Sequence, residues 1–432
     1  MFATVTNIWK VEDLRKRILF TLFILFVYRI GSFIPVPNIN KDVLTMANEQ
    51  GTNLFGLLNT FSGGALFNFS IFALGITPYI TASIIVQLLS MDVIPKFSEW
   101  QKEGENGKRK LAQITRYGTI ILGLIQAFAT AIGFNRMYSY EMVIDPNVAT
   151  YLMIAIVLTA GTAFLMWMGE QINEKGIGNG ISILIFAAIV AAIPKHARDI
   201  YASQFVDGDQ VFLNIVKMII ILLVIILIIA GVIFIQQGVR KIPVQYAKRV
   251  VGQKMYGGQS THIPLKVNGA GVIPVIFAIS LLMFPVTIAG FFANQPWAHW
   301  IITNMSYSKP LGMVLYVLLI IGFTFFYTFV QFNPQQLADN MKKNGGYIPG
   351  IRPGKPTQGF LTRVITRITL AGAMFLAIIS VIPIFFGTLA GLPDSVKVGG
   401  TSLLIVIGVA LETMKQIESQ LIKRHYKGFI NK

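Results

Sequence analysis

The chain has 432 residues, 54% of them hydrophobic and 32 of them phenylalanine, with a mean hydropathy of +0.64. No single water-solvated core of this length buries so much apolar surface, so lipid must be part of the solvent. With no cysteine the chain excludes a disulfide framework and a thiolate metal site, while its formal charge of +17 fits nucleic acid or acidic lipid until the charge is placed.

In chain order, residues 1–17 mix Phe2, Val5, Ile8, Trp9 and Leu14 with polar residues, which suits a short amphipathic helix at a cytosolic membrane surface; a basic tail is the alternative. Lys10, Arg15, Lys16 and Arg17 then precede an apolar run from Ile18 to Ile34, as in a secretory signal. The run reads as a retained span, because many more spans follow and no A-x-A site comes directly after it. Hydropathy places ten spans near Ile18–Ile34, Ile71–Met91, Tyr117–Phe134, Val148–Met168, Ile177–Ile193, Ile215–Ile235, Gly271–Phe292, Leu311–Phe332, Ile368–Leu389 and Val398–Leu411. Each must be a helix, since an extended run in lipid leaves its amides unpaired. Residues Asn53–Phe69 are apolar in places but too short to span, and fit an external re-entrant or amphipathic segment.

Of the 36 lysines and arginines, 28 fall on one side of this arrangement. They occupy the N-terminal tail, the 92–116 loop, Lys175, the loops 238–268 and 333–367, and the tail 415–432. The positive-inside rule makes that side cytosolic, and an even number of spans returns both termini to it. The fold class expected is therefore all-α and integral to the membrane.

The second and seventh spans open with the same pattern, Gly-x-x-Pro-x-Ile-x-Ala, at Gly75–Ala82 and Gly271–Ala278. The fifth and tenth, also in corresponding places, are both short and led by glycine, at Gly176–Ser182 and Gly399–Leu403. Five spans per half force opposite orientations, so the pattern is that of two inverted halves, 18–193 and 215–414, joined by an outer hinge loop 194–214, with the interrupted helices lining a central pathway. Glycine and proline are common in membrane helices generally, so the repeat alone leaves that pathway open.

Eight ordered motifs then coincide with one family. Phe61-Ser62-Gly63-Gly64-Ala65, the Gly75–Gln87 stretch, Lys102–Glu105 with Thr115–Gly118, and Gly169–Ile172 leading to Gly176–Gly180 resemble the SecY family of protein-secretion channel subunits. So do Tyr246–Arg249, Gln259–Asn268, Pro349–Gly354 and Gly399–Ile405. The resemblance implies a channel of two inverted five-helix halves around a central pore in the bacterial cytoplasmic membrane, through which unfolded secretory polypeptides pass and from which hydrophobic segments leave sideways. It implies a constriction ring of Ile76, Ile80, Ile181, Ile185, Ile276 and Ile405; without it, each isoleucine reads as packing or lipid-facing. It makes 53–69, with Phe61, Ser62, Gly63, Gly64 and Ala65, a plug over the ring. It places Gln87 and Asn268 at a lateral gate, where interhelical hydrogen bonding is the plainer reading. It implies SecE-like and SecG-like membrane subunits, signal peptides and nascent chains as partners, and docking of the motor ATPase SecA or the ribosome on Arg240, Lys248, Arg249 and Arg352. Topology alone also explains those charges.

A secondary transporter would share the inverted repeat, but Arg29, Glu170, Lys217 and Glu412 stand near span ends or alone, without the mid-membrane pair that ion coupling needs. An intramembrane enzyme is disfavoured because H-E-x-x-H and G-x-S-x-G are absent and the four histidines are scattered. Pro356 follows Lys355 where a P-loop needs Ser or Thr. No cofactor or metal is expected, and any driving force must come from a partner.

Overall fold

The computed structural model describes residues 11–40, 56–91, 94–137, 142–201, 211–246, 249–251, 254–256, 260–292, 295–305, 309–389 and 394–430. Its elements are α1 (Glu12–Gly31), α2 (Gly56–Phe61), α3 (Thr77–Leu89), α4 (Pro95–Lys102), α5 (Glu105–Met137), α6 (Val148–Lys175), α7 (Gly180–Tyr201) and α8 (Val211–Gln237). There follow β1 (Val239–Tyr246), β2 (Arg249–Val251), β3 (Lys254–Tyr256), β4 (Ser260–Lys266), α9 (Ile273–Phe291), α10 (Pro296–Asn304), α11 (Pro310–Gln331), α12 (Pro334–Lys343), β5 (Gly346–Tyr347), α13 (Lys355–Leu389) and α14 (Asp394–Ile430).

A helix lies over each of the ten expected segments, in α1, α3, α5 to α9, α11, α13 and α14. Among the described residues six helices, α5 to α8, α11 and α13, are long and apolar enough to cross a membrane; α3 and α9 hold shorter apolar stretches. The most apolar window of α8 is 11% buried and that of α13 50%, so α8 leaves most of its side chains exposed while α13 is an interior helix. Leu19, Leu22, Phe23 and Phe26 of α1 are likewise exposed. The largest apolar cluster gathers Ile24 from α1, Ile80 from α3, Leu165 from α6, Leu184 from α7, Val275 from α9, Ile320 from α11, Leu376 from α13 and Leu404 from α14.

The two halves of the sequence repeat do the same structural work. Gly75 and Gly271 have φ of +57° and +65°, a region open to glycine, and each is followed by a helix with proline in its first turn. The glycine turns the chain, and the proline starts α3 or α9 where no N–H partner is needed. This is why α3 begins only at Thr77, later than the span expected from Ile71.

Several expectations need correcting. The all-α expectation misses a small sheet in the order β4-β1-β5, with β1 antiparallel to both neighbours, and a β2–β3 hairpin. Ile242 and Val244 point inward at a period of two, a pattern too short for a hydropathy scan. Helix reaches into both ends of the segment 194–214 expected as a hinge loop, since α7 carries Pro194 within it and runs to Tyr201, while α8 starts at Val211; 202–210 lie outside the described residues. The tenth segment is not short: α14 has 37 residues, Gly399 and Gly400 lie inside it, and its polar continuation past Leu411 keeps the helix going. The 1–10 part of the N-terminal segment, residues 53–55, Lys248 and the last two residues lie outside the described residues.

Candidate functional site: an apolar constriction and its cover

Ile76, which caps the start of α3, Ile80 one turn on, Ile185 of α7 and Ile276 of α9 surround a void of about 20 Å³. Such a space admits roughly one water, whose minimum requirement is about 10–15 Å³. All four are at least nine-tenths buried, and Thr77, Ile279, Ser280, Met283 and Phe61 complete the wall. Ile405 of α14 is fully buried in the same apolar cluster without lining the void. Ile181 sits elsewhere than expected: it is partly buried, and its Cδ1 lies against Gly169 of α6, so only Ile185 of that i,i+4 pair faces the void. The first turn of α7 is drawn onto α6, where the Gly180 N–H donates to Asn173 Oδ1 at 2.8 Å.

Phe61, from the segment expected as a plug, ends α2 and lines the void, and α2 rests against α7 and α14. The helix has only six residues, and the chain then folds through tight turns from Ser62 to Ile76. Ser62 and Ala65 are buried, Gly64 is half-buried, and Gly63 has φ +65° with Ala188 backbone 3.1 Å from where a Cβ would stand. The segment is stapled internally, since Ser62 Oγ accepts from the Leu66 N–H and Asn59 Oδ1 accepts from the Phe67 N–H. It is also held from α1: Tyr28 Oη donates to the Ser62 carbonyl at 3.1 Å and Arg29 Nη1 to the Gly63 carbonyl at 2.8 Å. Sequence reading missed both donors; an arginine at the end of a span was the one available signal.

Beside the constriction, α9 packs against α3 and α5. A crevice of about 40 Å³ along that seam is lined by Thr77, Thr81, Gln126, Thr130 and Ser280 with apolar neighbours. Thr81 and Thr130 donate to carbonyls four residues back in their own helices. Gln87 donates to Ser83 in α3, and Asn268 to the carbonyl of Gly271 just ahead of α9. Each of these bonds is local in sequence, and none of them joins α9 to α3 or α5. Gln87 and Asn268 line neither the void nor the crevice, and each keeps a buried amide oxygen with no partner.

The loops 238–268 and 333–367 form one body. Ile242, Val244 and Leu265 from the sheet pack with Ala338 and Met341 of α12, Ile348, and Leu361 and Val364 of α13. Arg240 is exposed on β1 and Arg352 on the turn before α13, where its carbonyl accepts from Thr357 Oγ1 at 2.8 Å. Among the described residues neither arginine is ion-paired, so both charges face outward. Arg249 belongs to β2.

The family model for SecY matches residues 70–414. The chain belongs to the SecY family. It is 61% identical over the full length of both chains to the protein translocase subunit SecY of Halalkalibacterium halodurans. Among solved structures it is similar to one described as a protein conducting channel, with a TM-score of 0.61 at 19% identity, covering 94% of this chain and 92% of the other. It is also similar to a chain of the idle yeast Ssh1 complex bound to the 80S ribosome, with a TM-score of 0.63 at 15% identity, covering 93% of this chain and 89% of the other. At those identities the two structures speak for the fold of this SecY-family chain, a mostly helical multi-pass membrane protein.

Proposed function

We propose that this chain is the channel subunit of a protein translocase, passing unfolded secretory polypeptides through the constriction and releasing hydrophobic segments through the α3/α5–α9 seam. The observation that carries this is the closure of four isoleucines from three helices around a void of about 20 Å³, with Phe61 of the plug segment at its edge. A ring without charges holds no particular side chain, so chains of any sequence slide through, and when idle it excludes ions by staying dry. In this reading Ile405 and Ile181 back the ring, and Ser62 to Ala65 form the body of the plug. Gln87 and Asn268 flank the gate.

What leaves sideways is decided by partition. At mid-membrane a Leu or Ile contributes roughly −0.3 to −0.6 kcal/mol and a Lys or Arg costs about 2.5 to 3.5 kcal/mol, so one charge offsets several aliphatic residues. The seam itself need only separate. The proposed setting is the bacterial cytoplasmic membrane, with ten spans in two inverted halves. SecE-like and SecG-like subunits cover the exposed apolar helices, and the force comes from SecA or the ribosome. The test is transport of a secretory protein into vesicles carrying the purified complex; vesicles that take up small solutes and no polypeptide would overturn the reading.

Two expected outcomes follow from the placement of charge. Asn344 and Asp145 are both exposed, on opposite sides of the membrane in the proposed topology. With no native cysteine to interfere, Asn344→Cys is expected to react with an impermeant maleimide only from the cytosol and Asp145→Cys only from outside. External labelling at Asn344 breaks the ten-span order. Arg352→Glu is expected to weaken binding of the anionic docking partner about tenfold, chiefly by slower association, with membrane insertion of the channel unchanged. Unaltered affinity would remove Arg352 from the docking surface.

A further inference from the structure

We propose that α10 is an interface helix whose Trp297 and Trp300 sit among the carbonyls and headgroups of neutral lipid, fixing the depth at which α9 leaves the bilayer. The inference goes beyond the translocase reading and needs only that α9 and α11 are consecutive spans. A helix of nine residues joining the ends of two spans lies at the bilayer surface, which in the proposed topology is the outer one.

The sequence builds three sectors into this short helix. Gln295 is extended and Pro296 opens the first turn, so the chain leaves α9 and restarts where no N–H partner is needed. Ala298 is fully buried and Ile301 and Ile302 partly so, which turns one sector toward the protein. Trp297 and Trp300, neighbours at i,i+3, are 48% and 55% exposed and make a second. His299 and Thr303, at i,i+4, are exposed and make a third, polar sector. A helix packed on protein in water needs only the first and the third. The added aromatic sector suits the boundary between lipid and water, where an indole meets both.

The aromatic sector continues an apolar stripe of α9. Leu281, Ile288 and Phe292 are exposed at spacings that share one helix face, and the Phe292 ring lies 5.4 Å from that of Trp297. Among the described residues neither indole N–H has a protein acceptor, so both donors are available to lipid carbonyls. From Phe292 to Ser308 the sequence holds no lysine, arginine, aspartate or glutamate. The footing is therefore the carbonyl layer common to all phospholipids, which salt does not screen. A membrane subunit is the less suitable occupant, because the sector lacks the small residues that let membrane helices approach. Since α9 also carries Ile276 of the constriction and Ser280 of the seam, a fixed end sets the height of both.

The experiment uses the full complex in sealed phosphatidylcholine vesicles, with a nitroxide on Trp300→Cys, His299→Cys or Thr303→Cys in turn, which the lack of native cysteine allows. Relaxation by oxygen, concentrated in lipid, is compared with relaxation by a nickel chelate, confined to water. Oxygen is expected to dominate at Trp300→Cys and nickel at the other two, with the same order in vesicles containing phosphatidylglycerol. Nickel dominating at all three overturns the proposal. A Trp300→Cys label reached by neither reagent means a covering protein and overturns it too. Nickel reaching His299→Cys only from the cytosolic side overturns the ten-span order alone. The His299→Cys line shape is expected to sharpen when Trp297→Ser and Trp300→Ser are added, and to stay broad with Phe at both positions. A line shape that the serines leave unchanged would show that protein packing alone holds α10, and would overturn the anchoring role.

Discussion

Resting ion conductance is expected to rise at least about tenfold in the Ile80→Ser, Ile276→Ser double variant, while secretion continues; a tenfold change asks for only about 1.4 kcal/mol off the barrier. The two side chains come from α3 and α9 and face each other across a void that holds about one water. Each substitution removes three carbons, and buried methylenes are worth about 0.8 kcal/mol each, so the apolar lining loses several times the energy required. The two hydroxyls also give entering water the partners that the isoleucines denied it. Secretion persists because a sliding chain needs a compliant seal and no specific ligand. The measurement pairs single-channel conductance with secreted yield from one reconstituted preparation. A membrane that stays tight while transport is abolished would show these residues to be a substrate site, as in a solute carrier, and not a seal.

Much of this architecture was legible in the residues because lipid leaves few choices. Runs of apolar residues must be helices, and a helix does lie over each of the expected segments. The Gly-x-x-Pro pattern at Gly75 and Gly271 pointed to paired irregular starts, and both glycines do adopt positive φ ahead of proline-led helices. What hydropathy could not see was structure outside lipid. The sheet around Ile242 and Val244 rests on a two-residue alternation beside charged neighbours, and its partner β5 comes from a loop some hundred residues away. The site was partly legible for a similar reason. Spacing of four put Ile181 and Ile185 on one side of α7, but which of them meets the void depends on how closely α7 approaches Gly169, a tertiary fact. The seam hydroxyls Thr81 and Thr130 were silent in sequence, since threonine in a membrane helix ordinarily bonds its own backbone, as both do here.

The donors from α1 give the second large expected effect, a resting channel whose cover is loosened without touching the ring. Arg29 is half-buried, lies 4.5 Å from the centre of the Phe33 ring, and donates at 2.8 Å to the carbonyl of Gly63. Hydrogen bonds involving a charged group contribute about 1.5–3 kcal/mol, so Arg29→Met is expected to raise the displaced fraction of the plug, and with it the leak, roughly ten- to hundredfold. Tyr28→Phe removes a neutral bond to the Ser62 carbonyl, worth about 1 kcal/mol, and is expected to raise the leak only about fivefold. Arg29→Lys keeps a cationic donor and should recover part of the seal. The Tyr28 variant is informative because Phe keeps the ring that stacks on Phe72, so any leak it shows reports the lost hydroxyl bond and not lost packing. Conductance indistinguishable from the parent in Arg29→Met would mean that the ring alone seals the channel and that the contact to Gly63 merely fixes the outer end of α1.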